Sequence, residues 1–283
     1  MTVAHTAAGR RRARVGAGLI VATSVTIQLA GALAHDLFDQ LGPLGTSSLR
    51  FALGAVILAA AIRPRLRGRA AGTWLAVAGY GLALAALNVC FFAAIDRIPM
   101  GIAVTFAFVA PLAMALVRSR RRRDVALALL AGAGVALLGG VDRPSSGDGV
   151  ALSLVCGIAW VAVAYAGRRV GAQTARIDGL ALALPVAALV TLPFGLASAD
   201  TIDAHALGVG LVIAVLGLIV PFAFELEGLR RLEPRAVAIV YSVDPAIAAL
   251  VGLIALGEGL SPTEVVGIVA VVAASAGVAA EGG

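Results

Sequence analysis

Residues 98–117, IPMGIAVTFAFVAPLAMALV, and residues 232–251, LEPRAVAIVYSVDPAIAALV, lie at an offset of 134 and read alike. Each opens with a proline in its first three residues, and each carries a second proline at the same place, Pro111 and Pro245, before a run of small and aliphatic side chains. A helix rises about 1.5 Å per residue, so roughly 20 residues cross the ~30 Å hydrocarbon core of a bilayer. Both stretches are long and apolar enough to be membrane spans, and the second copies the first.

Working outward, the segments just before them, Phe91 to Arg97 and Glu225 to Arg231, fall in register as well. Apolar runs then divide the chain into ten spans, near 15–34, 44–62, 73–95, 99–117, 124–141, 149–167, 178–196, 206–227, 235–256 and 262–280. Five per half is an odd number, so the second half must run with opposite orientation. The expectation is an all-α membrane protein of ten transmembrane helices, built as two inverted five-helix repeats at 15–141 and 149–280 behind an Arg-rich tail at 1–14. Breakers bound the spans: Gly42-Pro43, Pro64, and Pro144 with Ser145, Ser146 and Gly147. Ser261-Pro262-Thr263-Glu264 reads as an N-cap, a first-turn proline and an acid at N3.

Composition agrees. With 60% hydrophobic and 13% charged residues and a mean hydropathy of +1.00, the chain is too apolar for a soluble domain. A net charge of +6 and a pI near 10.5 would point to nucleic acid in a soluble protein, but the distribution argues otherwise. All 22 basic residues are arginine, and 19 fall in the tail and in the gaps after spans two, four, six and eight. Only Arg50, Arg97 and Arg143 are assigned to the other face. The positive-inside rule then puts both termini in the cytoplasm of a multi-pass plasma-membrane protein with no nucleic-acid partner. The run Arg120 to Arg123 suits a topology determinant, or a contact with acidic lipid or a partner. Arg10, Arg11, Arg12 and Arg14 ahead of an apolar stretch ending Ala32-Leu33-Ala34 resemble a signal peptide. The 20-residue run from Val15 to Ala34 exceeds the roughly 7–15 residues of a signal core, and the helix count needs it retained.

There is no phosphate-binding glycine loop, no nucleophile elbow with partners, and no soluble stretch large enough for a cofactor, so neither an enzyme nor a cofactor is expected. Cys90 and Cys156 lie inside spans as small core residues, and His5, His35 and His205 show no metal-ligand spacing. What carries function is the set of polar residues within spans, because each costs free energy in hydrocarbon. Glu225, about 9 Å along its helix from Arg231, suits a proton-exchanging carboxylate or an interfacial acid paired with Arg230. Glu227 is read as structural. Asp244, before Pro245, is a second acidic candidate, although Asp-Pro also suits a local kink. Gln28, with Ser24 one turn earlier, and Asn88 suit either a zwitterion's polar groups or interhelical bonding. Trp160, Tyr165 and Tyr241 are aromatic candidates for a cavity wall, and Pro111, Pro185, Pro221 and Pro245 free backbone carbonyls within spans.

Leu49-Arg50-Phe51 with Gly54 beyond it, and Gly257-Glu258-Gly259-Leu260-Ser261-Pro262 before the last span, resemble EamA domains of the drug/metabolite transporter superfamily. Ile98 to Val104 leading to Phe108 and Pro111-Leu112-Ala113, and Asp244-Pro245-Ala246-Ile247-Ala248-Ala249, are similar to its inner-membrane threonine/homoserine exporter branch. The resemblance covers essentially the whole chain. It implies ten helices, a central cavity, alternating access and proton-driven antiport that exports small amino acids. It also implies that Glu225 matches an acidic position of that branch and that Asp244 stands where a Glu is usual. Ala107 occupies a place where such exporters often carry Glu. Efflux of drugs or other metabolites is the alternative within transport, against which the 5% aromatic content leans, and a scaffold or uncoupled pore is the alternative outside it.

Overall fold

The structure is a computed structural model that describes residues 7–117, 122–138, 146–174, 176–232, 237 and 240–281. No strand occurs among the described residues. A backbone in lipid must satisfy its own hydrogen bonds, and the apolar runs do so as helices. In order these are α1 (Ala7–His35), α2 (Phe38–Ile62), α3 (Ala71–Ile95), α4 (Met100–Val117), α5 (Arg122–Leu138), α6 (Gly147–Gly171), α7 (Arg176–Ala197), α8 (Ala204–Ala214), α9 (Val220–Leu229), α10 (Asp244–Ala255) and α11 (Pro262–Glu281). The π turn Val215–Ile219 joins α8 to α9, making the eighth span. Val240 and Tyr241 are helical, and a turn at Ser242 and Val243 then interrupts the ninth span before α10.

Every expected span therefore meets a helix among the described residues. Six of them, 11–35, 38–62, 71–95, 147–171, 177–197 and 204–225, are long and apolar enough to cross a bilayer, and shorter apolar helices cover 100–114, 244–255 and 262–274. Helix α1 begins at Ala7, so residues 7–14 continue the first span as helix.

The signals that set the ends are visible in the bonds. Gly42 takes φ 67° and ψ 166°, breaking α2 just ahead of Pro43, where the expected span begins. The Ser261 N–H donates to Glu264 Oε2 at 2.6 Å, and the Glu264 N–H donates back to Ser261 Oγ at 3.3 Å, a reciprocal cap on α11. Asp203 Oδ1 accepts the Ala206 N–H at 2.8 Å and starts α8.

The chain divides into two compact units, one of Met1–Ala32, Pro99–Ser145 and Leu216–Gly283, the other of Leu33–Ile98 and Ser146–Val215. Each unit draws helices from both sequence halves. In the first unit α4 packs on α10 and α5 on α11. Thr23 of α1 donates to the Pro221 carbonyl of α9 at 3.4 Å. In the second unit α2 packs on α7, and α3 on both α6 and α7. Small residues bring the axes close: a methyl at Gly81 would sit 2.6 Å from the Ala183 carbonyl oxygen, and one at Gly101 would sit 2.6 Å from Ala249 Cβ.

Contacts at the helix ends respect alternating sidedness within each unit. In the second unit His205 Nε2 lies 3.0 Å from Asp36 Oδ2, joining the gap after span seven to the gap after span one. Arg69 there pairs with Asp178 at 3.3 Å, joining the gaps after spans two and six. In the first unit the Arg12 guanidinium donates to the Arg230 carbonyl at 3.1 Å, which ties the N-terminal helix start to the end of α9. The Met100 N–H donates to Glu258 Oε2 at 2.9 Å, which ties the gap after span three to the gap after span nine. Each pair joins gaps that ten successive crossings would leave on one face.

Candidate functional site

In the first unit, four of the seven residues singled out in the sequence come into one polar cluster. Gln28 is 2% exposed on α1 and Asp244 is 6% exposed at the first position of α10. The Gln28 amide and the Ser24 hydroxyl, one helical turn apart, interact with the Asp244 carboxyl. The Tyr241 hydroxyl hydrogen-bonds the Glu225 carboxyl of α9 and also lies within the field of Asp244. Among the described residues, Gln28 Oε1 and Asp244 Oδ1 are buried with no hydrogen-bond partner.

The arginines that follow Glu225 along the helix are engaged by Glu227. Arg231 makes a tight pair with Glu227, at 2.6 Å from Nη2 to Oε1, and Arg230 reaches the same carboxylate at 3.5 Å. The i, i+3 and i, i+4 spacings put both arginines on the Glu227 side of the helix. Glu225 is half-buried and turns to Tyr241 instead of serving as the partner of Arg230. Glu227 is the structural acid, as its sequence position suggests.

The break before α10 accounts for the position of Asp244. Pro245 has no N–H to give and suits the second position of a helix. The new helix therefore starts inside the ninth span, with Asp244 beside its positive end. Ala107, at the place where the resemblance implies an acid, is buried on α4.

The second unit holds the other three, of which Tyr165 is exposed. Asn88 is 4% exposed on α3, with its Oδ1 lacking a hydrogen-bond partner among the described residues, and Trp160 is half-buried on α6. This unit also holds the residue that sequence reasoning misplaced. Arg50, counted with the far face, is buried within the second span. It lies seven residues past Pro43 and twelve before Ile62, about 10 Å and 18 Å along the helix, and is 5% exposed. Its guanidinium lies 5.4 Å from the centre of the Phe92 ring. Asn88 precedes Phe92 by one turn, on the same face of α3. Its apolar flanks, Leu49 and Phe51 on one side and Ala52 to Ala61 on the other, carry the signal: an arginine within a span is a buried group. Cys90 and Cys156 are free thiols, and among the described residues no three His, Cys, Asp or Glu side chains form a metal site.

Comparison with known proteins places this geometry in context. The EamA-like transporter family model matches residues 148–280. A threonine/homoserine exporter, RhtA, of Salmonella typhimurium is 36% identical over 92% of this chain and 89% of its own length. The exporter of the same name in Escherichia coli strain K12 is 34% identical over the same shares. A crystal structure of a protein only 20% identical superposes over 92% of this chain and 95% of that chain with a TM-score of 0.59, which speaks to the fold alone.

Proposed function

The chain belongs to the EamA-like transporter family, on the branch that holds these exporters, and is a multi-pass inner-membrane transporter and not an enzyme; from that premise we propose that it exports threonine, homoserine or similar small amino acids in exchange for protons. The observation that carries this reading is the gathering of Gln28, Glu225, Tyr241 and Asp244 in one unit, two carboxylates among apolar helices with polar neighbours. Ionisable groups are costly inside a bilayer and mark ion and substrate paths. Glu225 is the first candidate to take and release a proton, because it is half-buried near the end of the eighth span, and Asp244 is the second. Gln28 and Tyr241 are the substrate-contact candidates within the first unit, and Asn88 and Trp160, both of the second unit, are separate candidates from their sequence positions.

The halves 15–141 and 149–280 are read as inverted repeats working by alternating access. Exchanging each helix with its counterpart five spans on carries the α3–α7 pair onto α2–α8 and the α4–α5 pair onto α10–α11, and all four pairs pack. That exchange supports the reading, as does the parity of the helix-end contacts. Both termini are assigned to the cytoplasm on the arginine distribution.

The test is counterflow in proteoliposomes. Labelled threonine and homoserine should exchange saturably and accelerate under an imposed pH gradient. Failure of both amino acids to exchange removes the substrate assignment. Glu225→Gln should abolish gradient-driven transport; if the gradient still drives it, the proton does not travel on Glu225.

A further inference from the structure

We propose that Asp244, Gln28 and Ser24 form a receptor for a primary ammonium group, so that Asp244 serves to bind the amine of the transported solute. The inference rests on the reading of the chain as an exporter of small amino acids and assigns one end of the substrate to one end of the cluster. Gln28 Oε1 and Asp244 Oδ1 are both enclosed, both are acceptors, and neither has a hydrogen-bond partner among the described residues. They belong to side chains that hydrogen-bond each other from two different helices, α1 and α10, so both oxygens fall within one polar cluster. Burying an acceptor without a donor is costly, and two such orphans in one cluster are unusual unless a donor arrives.

The chemistry of that donor follows from the oxygens. An ammonium brings three N–H donors and one positive charge, which satisfies an amide oxygen and a carboxylate oxygen together and neutralises the only ionisable group of the three. A hard metal cation asks for about six or more oxygens. A tertiary ammonium has one N–H for two acceptors and a quaternary ammonium has none, and a hydroxy acid without the amine lacks the charge. Ser24, 2% exposed on the face of α1 one turn before Gln28, steadies the carboxylate in the meantime.

Thermal unfolding of the purified full-length protein in detergent tests this directly. The probes are homoserine, 3-amino-1-propanol as its analogue without the carboxylate, 4-hydroxybutyrate as its analogue without the amine, and sodium chloride against choline chloride. Homoserine and aminopropanol should raise the melting temperature in a saturable way, and 4-hydroxybutyrate should not. Asp244→Asn, Gln28→Leu and Ser24→Ala should each weaken the amine response, tenfold or more for Asp244→Asn, whereas Gly132→Ala should leave it unchanged. If Asp244→Asn does not fold, Gln28→Leu and Ser24→Ala decide. An amine response retained within twofold in these variants overturns the proposal, as does a response to sodium that the amines do not compete away. The two readings fail separately. Amine binding without counterflow in the wild type sinks export and keeps the receptor, whereas wild-type exchange with unaltered homoserine affinity in Asp244→Asn sinks the receptor and keeps export.

Discussion

Gly101→Ala tests whether the close approach of α4 to α10 holds the site together. The added methyl would lie 2.6 Å from Ala249 Cβ, 2.7 Å from its Cα and 3.1 Å from its N. Carbon atoms in good contact sit about 3.5–4.0 Å apart, and a backbone atom has no rotamer by which to escape, so the helices must part by about 1 Å. Overpacking of this kind costs about 1–3 kcal/mol. The substitution also gains about 1 kcal/mol of helix propensity, so the net effect is a loss of about 0–2 kcal/mol. Gly132 of α5 isolates the second term, since a methyl there meets no heavy atom within 4 Å. Gly132→Ala should gain up to about 1 kcal/mol. The gap between the variants is the overpacking itself, which at about 2–4 °C per kcal/mol separates their melting temperatures by about 2–12 °C. Thermal melts of detergent-purified protein measure it, and Gly101→Ala melting at or above Gly132→Ala would refute the reasoning. Asp244 lies five residues before Ala249 on α10, so amino-acid exchange should fall in the same order.

Other expectations are narrower. Glu258→Ala removes the acceptor of the Met100 N–H at the start of α4 and should cost about 1 kcal/mol in a thermal melt, whereas Glu258→Gln, which keeps an acceptor oxygen, should recover much of it. Arg50→Lys replaces a planar guanidinium over Phe92 with a compact ammonium and should destabilise by about 1 kcal/mol through the lost stacking, a loss that chemical denaturation can register. Tyr241→Phe takes the hydroxyl from Glu225 and should slow proton-driven exchange in proteoliposomes while leaving the melt within a few degrees. The Asp203 carboxyl is held below its ordinary value, chiefly by the Ala206 N–H that it caps. A depressed acid contributes stability above its unfolded value near 3.9 and loses it as pH falls through the lower folded one, so melting should drop only below about pH 4, and Asp203→Asn should flatten that limb.

The spans were readable because each is decided locally: Gly42-Pro43, Ser261 to Glu264 and the apolar run lengths act within a few residues of the boundary they set. Glu227 as a structural acid was readable too, since Arg230 and Arg231 follow at helical spacing. What spacing cannot carry is the partner on another helix. Glu225 and Tyr241 are sixteen residues apart, Gln28 and Asp244 more than two hundred, and only packing brings them together. Arg50 was counted toward the far face although it is the seventh residue of the second span, and the arginine count by face does not show that its guanidinium lies over Phe92. The mixing of the two halves within each compact unit is likewise a matter of tertiary contacts, which a linear repeat of 134 residues does not specify.

The π turn Val215–Ile219 holds one residue more than an α-turn would. In an α-helix each residue advances the side-chain direction by about 100°, so this extra residue acts as a clutch plate between α8 and α9, rotating everything after it by that amount relative to an unbroken helix. Glu225 and Glu227 owe their headings to it. Were the turn to tighten into regular α-helix with all its residues kept, the Glu225 carboxylate would swing about 100° off its line to Tyr241, whereas deleting one residue from the turn lets the span run as α-helix and leaves every side chain from Val220 onward at its present heading. A deletion in this turn therefore shortens the span without turning its carboxylates, whereas the same deletion in α8 or α9 would turn them.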